Sequence, residues 1–293
     1  MYATNFEYDG QYLRDYGYML CDFGGSSNIE EVSAGSEITF NTVATHRGKK
    51  FALPGTEYED YITSTFYICK DPCEYDDMVI TDEEVRMLMR WLNRRRFLPF
   101  RFADYGEDTP VNVSLGSVKV SHGTLTVVYR DWWSCYYDAS FNIEKVVSDK
   151  NVVGLRLNMI TNRPFGYAAE EKISWAVTNT SSVYTLTDLS DEIGHIYPSL
   201  EITCNESGKL TLYNSLENCT MEINGCSAGE VITIDGPTHI ISTSYASHKI
   251  YDDFNFEYFR IGNTPTSRAN QIKSSLKCTI VLRYNPLVKN SPD

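Results

Sequence analysis

Short runs of β-branched and aromatic residues, broken every few positions by Gly, Pro, Asn or Asp, fill this chain, and one segment alone carries a clear helical period. That pattern restricts it to a mainly β fold. Residues 36–43 alternate, with Ile38 and Phe40 on one face and Glu37, Thr39 and Asn41 on the other. Residues 61–68 form a second such run. Between them, residues 44–60 hold Arg47-Gly48-Lys49-Lys50 and Pro54-Gly55, a polar, turn-rich stretch with a basic centre. A connection of that length is either an extended hairpin arm or a functional loop.

The helix is predicted over 81–95. Thr81-Asp82-Glu83-Glu84 is a capping box, in which the Thr81 hydroxyl and the Glu84 carboxylate satisfy free backbone N–H groups. Val85, Leu88, Met89 and Leu92 follow as one apolar stripe. Acids fill the first turn and Arg94-Arg95-Arg96 the end, as the helix dipole favours, and Pro99 prevents continuation. The three arginines are thus accounted for as solvated charges at a helix C-terminus, available to pair with acids across a subunit boundary.

Strands resume after Pro99. Residues 116–130 read as a hairpin turning at Ser121-His122-Gly123, and 152–160 alternate with Val153, Leu155, Leu157 and Met159 facing one way. Asn162-Arg163-Pro164 breaks that run, which places a domain boundary between 1–165 and 166–293. The second part offers strands at 200–203, 209–213, 220–223, 230–234, 239–243, 254–261 and 277–284, with no helix between them. That spacing predicts a β-sandwich. Asn224-Gly225 is the strongest tight-turn signal of the chain. The strand at 277–284 has two candidate places, closing this sandwich or returning to the N-terminal domain.

Composition removes several function classes. The chain has 293 residues, a hydrophobic content of 42% and a net charge of −13, with the acids spread over both halves. A nucleic-acid binder needs a basic footprint, and Arg94-Arg95-Arg96 is the only basic run, so no specific nucleic acid is expected. No stretch has the apolar length of a membrane helix, and residues 1–7 resemble no signal peptide, so neither membrane nor export is expected. The eight cysteines are irregularly spaced without a C-x-x-C pair, and buried single thiols in a reducing cytosol are the expectation.

No catalytic constellation emerges. There is no phosphate-binding Gly-rich loop, no G-x-S-x-G elbow and no H-E-x-x-H. His46, His122, His195, His239 and His248 are isolated. Asp76-Asp77, Asp191-Glu192 and Asp252-Asp253 are adjacent acids of the kind that calcium or glycosidase sites use, but with 39 acids such pairs arise by chance. Trp132-Trp133 with Tyr136-Tyr137 has the composition of a sugar-stacking platform and equally of a core-and-interface cluster. Accordingly no catalytic, cofactor or metal residue is nominated, and no enzyme is expected.

Three blocks carry a family resemblance. The first is residues 15–25 and 36–43, with Cys69-Lys70-Asp71-Pro72-Cys73 downstream. The second is Phe141-Asn142-Ile143-Glu144-Lys145, then 152–160, then 162–167. The third is Tyr197-Pro198-Ser199-Leu200-Glu201-Ile202, residues 229–235 and Asp253-Phe254-Asn255-Phe256. In this order the chain resembles the distal tail proteins of bacteriophages with long non-contractile tails.

The resemblance implies a structural virion protein at the tail tip, made in the cytoplasm of the bacterial host. Its N-terminal domain would form a ring, usually of six copies, and its C-terminal domain would be a galectin-like β-sandwich. The implied partners are further copies of itself, the tail tube protein, the tape-measure protein, a tail-tip or tail-associated protein and receptor-binding proteins, joined in a baseplate. No cofactor is implied. A loop from the N-terminal domain clasps the neighbouring subunit in this family, and residues 44–60 are similar to it. His46, Arg47, Lys49, Lys50, Phe51, Leu53 and Pro54 are then the expected interface residues. An acidic lumen would let DNA pass without holding its phosphates. The alternative reading is a carbohydrate- or receptor-binding tail component. The His, Asn-Pro-Arg and Trp-plus-Glu pattern of sugar-binding galectins is missing, since Asn285-Pro286 is followed by Leu287.

Overall fold

In a computed structural model, the structure describes residues 3–23, 61–103 and 135–289, together with the backbone of 36–45, 48–58, 116–120 and 123–127. The chain forms two units, residues 1–168 with 289–293, and residues 169–288. Among the described residues no helix is long and apolar enough to cross a membrane.

In the first unit the order is β1 (Asn5–Tyr8), β2 (Gln11–Tyr12), β3 (Tyr18–Cys21), β4 (Ser36–Thr45), β5 (Gly48–Tyr58), β6 (Thr63–Lys70), α1 (Asp82–Leu92), β7 (Leu98–Ala103), β8 (Gly116–Val120), β9 (Gly123–Val127), β10 (Tyr137–Ser148), β11 (Asn151–Thr161) and β12 (Gly166–Tyr167). Seven of these strands make one antiparallel sheet in the order β2-β1-β7-β10-β11-β6-β3. The Leu20 N–H donates to the Thr4 carbonyl at 2.9 Å, which draws the edge strand β3 back towards β1 and curls the sheet. Alternation puts Phe6, Phe66, Phe100, Phe102 and Phe141 on the inner face, all buried. Their rings meet mostly edge to face, with Phe100 and Phe102 4.9 Å apart between centroids and Phe66 and Phe141 5.9 Å. Each such pair adds about 0.5–1.5 kcal/mol beyond the area it buries.

Helix α1 starts as its sequence requires. The Thr81 hydroxyl accepts the Glu84 N–H, and the Glu84 carboxylate accepts the Thr81 N–H at 2.7 Å. Glu84 also pairs with the buried Lys70 ammonium at 2.9 Å, tying the helix start to the end of β6. The buried stripe, however, is Val85, Leu88, Trp91 and Leu92, while Met89 is 41% exposed. Trp91 explains the rotation. Its indole stacks on Phe6 at 5.6 Å and on Tyr16 at 4.5 Å, and its N–H donates to the Tyr8 carbonyl at 3.1 Å. The helix ends at Leu92 rather than 95, and the Arg94 side chain turns back to donate to the Trp91 carbonyl.

The second unit runs β13 (Glu171–Val177), β14 (Tyr184–Thr187), β15 (Gly194–Ile196), β16 (Ser199–Cys204), β17 (Gly208–Asn214), β18 (Cys219–Cys226), β19 (Val231–Asp235), β20 (Ile240–Thr243), the one-turn α2 (Ile250–Asp253), β21 (Ile261–Asn263), β22 (Ala269–Ser274), β23 (Cys278–Tyr284) and β24 (Leu287–Val288). A five-stranded sheet, β13-β23-β16-β19-β20, faces a four-stranded one, β14-β22-β17-β18. Leu200, Ile202, Ile232, Ile280 and Leu282 from the first share one core with Leu186, Leu210, Leu212, Met221 and Ile272 from the second. Strand β23 lies between β13 and β16, so the segment near the end of the chain closes this sandwich.

Two local expectations change. Asn224-Gly225 makes no hairpin. Gly225, at φ 65°, sits inside β18 where the register with β17 shifts, so the left-handed backbone serves a bulge. Residues 254–260 form no strand. The Asn255 side chain accepts the N–H groups of Glu222 and Glu257, and Phe256 takes φ 59°, which breaks the extended path.

Candidate functional site

The first candidate is the arm. Among the described residues, strands β4 and β5 pair only with each other and stand as a two-stranded ribbon of their own. Ten residues of β4 at about 3.4 Å each give it a length of roughly 34 Å. The stretch at 44–60 is thus mostly the second strand of a longer hairpin that begins at Ser36. Lys49, Lys50, Phe51, Leu53 and Pro54 lie on β5, with Lys49 opposite Ala44, Lys50 opposite Val43 and Phe51 opposite Thr42. His46 and Arg47 fall outside the described residues. A two-stranded ribbon buries too little to be stable alone, so its length is economical only when another surface covers it.

The other sequence candidates disperse. Trp132-Trp133 lie outside the described residues. Tyr137 is buried in the first unit, and Tyr136 stacks on Tyr167, its strand-bridge partner. The Asp77 carboxylate accepts the Val79 N–H and shapes a turn. All eight cysteines are free. Cys204 and Cys278 are paired in register between β16 and β23, and Cys226 hydrogen-bonds Cys204. That bond and burial push the Cys204 thiol far up, so it is an inert core thiol. Among the described residues no three His, Cys, Asp or Glu side chains are grouped to hold a metal.

One constellation was not legible in the sequence. Glu230, just before β19, is fully buried. Its carboxylate accepts the Ser227 N–H at 2.8 Å, the Thr243 hydroxyl, and the Nδ1–H of His248 at 2.5 Å. The His248 side chain is 6% exposed, and its Nε2 faces Asp253 Oδ2 at 3.4 Å, without a hydrogen bond. Burial resists charge on both partners, yet the mutual hydrogen bond and attraction prevail. They raise the His248 imidazole, and with the Thr243 hydroxyl and the Ser227 N–H they hold the Glu230 carboxyl below its usual range. The result is a hydrogen-bonded clasp between the start of β19, the end of β20 and α2. Glu230 and His248 are eighteen residues apart, a spacing that belongs to no motif.

Aromatic rings continue from this clasp over the same unit. Phe254 meets Phe256 at 5.4 Å and Tyr258 at 5.0 Å, Tyr258 stacks on His239 at 4.4 Å, and His239 meets Tyr197 at 4.5 Å. His239, isolated in sequence, is thus joined to Tyr197 and Tyr258.

Comparison with known proteins gives two family-model matches. A phage tail protein N-terminal domain matches residues 1–124, and a phage tail C-terminal domain matches residues 165–284. Among solved structures, the crystal structure of the Dit protein of phage SPP1 is similar to this chain. It is described as a paradigm of the hub adsorption apparatus in phages infecting Gram-positive bacteria. The TM-score is 0.61 at 14% identity, over 96% of this chain and 98% of that one. No curated protein sequence is significantly similar.

Proposed function

Because this chain belongs to the phage tail proteins that those N- and C-terminal domain models describe, we propose that it is the distal hub of a long non-contractile tail. The carrying observation is the likeness in fold to the SPP1 Dit protein over nearly the whole of both chains. In this reading the first unit forms a ring of six copies below the tail tube, and the β4–β5 ribbon reaches across each boundary. The basic residues Lys49 and Lys50 then meet an acidic neighbour, since the chain as a whole carries −13. The tape-measure protein occupies the channel, and the tail-tip and receptor-binding proteins dock below the ring. The role is assembly, without catalysis.

A ring places a different patch on each side of every subunit. A ribbon that, among the described residues, pairs with no strand of the seven-stranded sheet suits that demand. Light scattering and negative-stain images of the purified chain test the proposal. A closed ring, single or stacked back to back, is expected. Replacing residues 39–55 with a short turn should yield a folded monomer with an unchanged melting temperature. Rings that persist without the ribbon would refute the clasping role. Tails in which the chain lies away from the tip would refute the hub.

A further inference from the structure

The second unit carries a polar depression of about 390 Å³ beside the clasp. That is within the range of about 300–1,000 Å³ typical of small-molecule sites. We propose that it binds one unit of a saccharide.

Four observations converge on that chemistry. His248 lines the depression, and its buried Nε2 has no hydrogen-bond partner among the described residues, with only the part-exposed Asp253 carboxylate set against it. Glu230 fixes the ring by holding Nδ1, so Nε2 cannot turn away. Asp253 Oδ2 stands 3.4 Å from it, so a carboxylate and an imidazole nitrogen lie side by side, within reach of two neighbouring hydroxyls. One hydroxyl donates to the carboxylate while the next engages Nε2. A hydroxyl both donates and accepts, so it serves the imidazole in either protonation state. Tyr245 supplies a wall. Its hydroxyl donates to the Ala228 carbonyl at 3.0 Å, which locks the ring beside the cavity as an apolar surface for the C–H face of a pyranose. Gly225 keeps the floor open. A Cβ there would lie 3.6 Å from Asp253 Oδ2 and 3.8 Å from His248 Nε2, directly over both groups.

Ions fit less well. An inorganic anion would face the Asp253 carboxylate, with the buried Glu230 carboxylate behind it. A cation would find one carboxylate and one imidazole, with the Lys249 ammonium on the rim. Ser227 and Ser247 complete a lining suited to a neutral polyol. The site lies wholly in the second unit and is independent of the ring.

Saturation-transfer difference NMR tests the site on the full chain. The probes are the methyl glycosides of glucose, galactose, N-acetylglucosamine and rhamnose, with inorganic phosphate and zinc as controls. At least one glycoside should bind with a Kd of about 1 mM. Gly225→Asn places a side chain over the floor, and Asn tolerates the left-handed backbone that Gly225 adopts. That variant should keep its melting temperature and lose the glycoside signal. Tyr245→Ala should weaken binding about tenfold, a difference worth about 1.4 kcal/mol. No signal from any glycoside, a signal unchanged in Gly225→Asn, or binding of phosphate or zinc alone would overturn the proposal.

Discussion

Removing His248 should show how much the second unit depends on one proton. In His248→Ala the fully buried Glu230 loses its charged partner, and the Ser227 N–H and the Thr243 hydroxyl remain. Breaking a buried pair by deleting one member costs about 3–5 kcal/mol, because the survivor's charge is left uncompensated. The two remaining donors soften that, so about 3 kcal/mol is expected. For a unit of this size, each kcal/mol lowers the melting temperature by roughly 4 °C, so the loss is roughly 12 °C. Glu230→Gln removes the charge at nearly constant shape and should cost less. The double variant should fall short of the sum of the two singles by more than about 0.5 kcal/mol, the margin for independent sites.

The pH dependence carries a definite sign. The folded imidazole titrates above its usual value near 6.5, so its stabilisation is complete below that value and is lost as pH rises through the folded value. Glu230, with its pKa lowered, contributes in the opposite sense, and its share disappears as pH falls through its folded value in acid. Urea denaturation at about pH 6 and about pH 9 therefore should give a lower midpoint at the higher pH. The difference between wild type and His248→Ala should shrink over the same interval. Additive single variants, or a wild-type-minus-variant difference that does not change with pH, would refute the clasp.

Three further outcomes are expected. Asn270→Leu removes the buried amide that accepts from Asn214 Nδ2 and the Gly262 N–H and donates to the Gly262 carbonyl. Each orphaned group costs about 1–3 kcal/mol, so chemical denaturation should show a loss of several kcal/mol. Phe256→Gly should raise stability by about 1 kcal/mol in a thermal scan, because a 61% exposed phenyl is held at φ 59°. Thr81→Ala should cost about 1 kcal/mol of stability in the first unit, by loss of the α1 cap.

What the chain revealed in advance follows from how local each signal is. The start of α1 was legible because its capping box satisfies donors three residues away. The inward turn of Trp91 was not, since it depends on Phe6 and Tyr16 elsewhere in the fold. Asn224-Gly225 announced a left-handed backbone, but a bulge and a hairpin ask for the same residue. Strand β22 escaped notice because two of its inward side chains, Asn270 and Ser274, are polar. An apolar period cannot reveal a face that is satisfied by hydrogen bonds. The Glu230–His248 clasp is assembled by the β19–β20–α2 connection, and no spacing rule encodes it.

The order of the first sheet also has a consequence for synthesis. Strands β2, β1 and β7 form one fragment and β6 with β3 another, and only the β10–β11 hairpin joins them along the ladder. That hairpin ends at Thr161. A nascent chain therefore lacks the cover that Phe141 gives Phe6, Phe66 and Phe100 until more than half of it has been made, and the sheet then closes in one late step. The ribosome-bound chain is the stage at which this protein most needs a chaperone, and its first hundred residues are the part to guard.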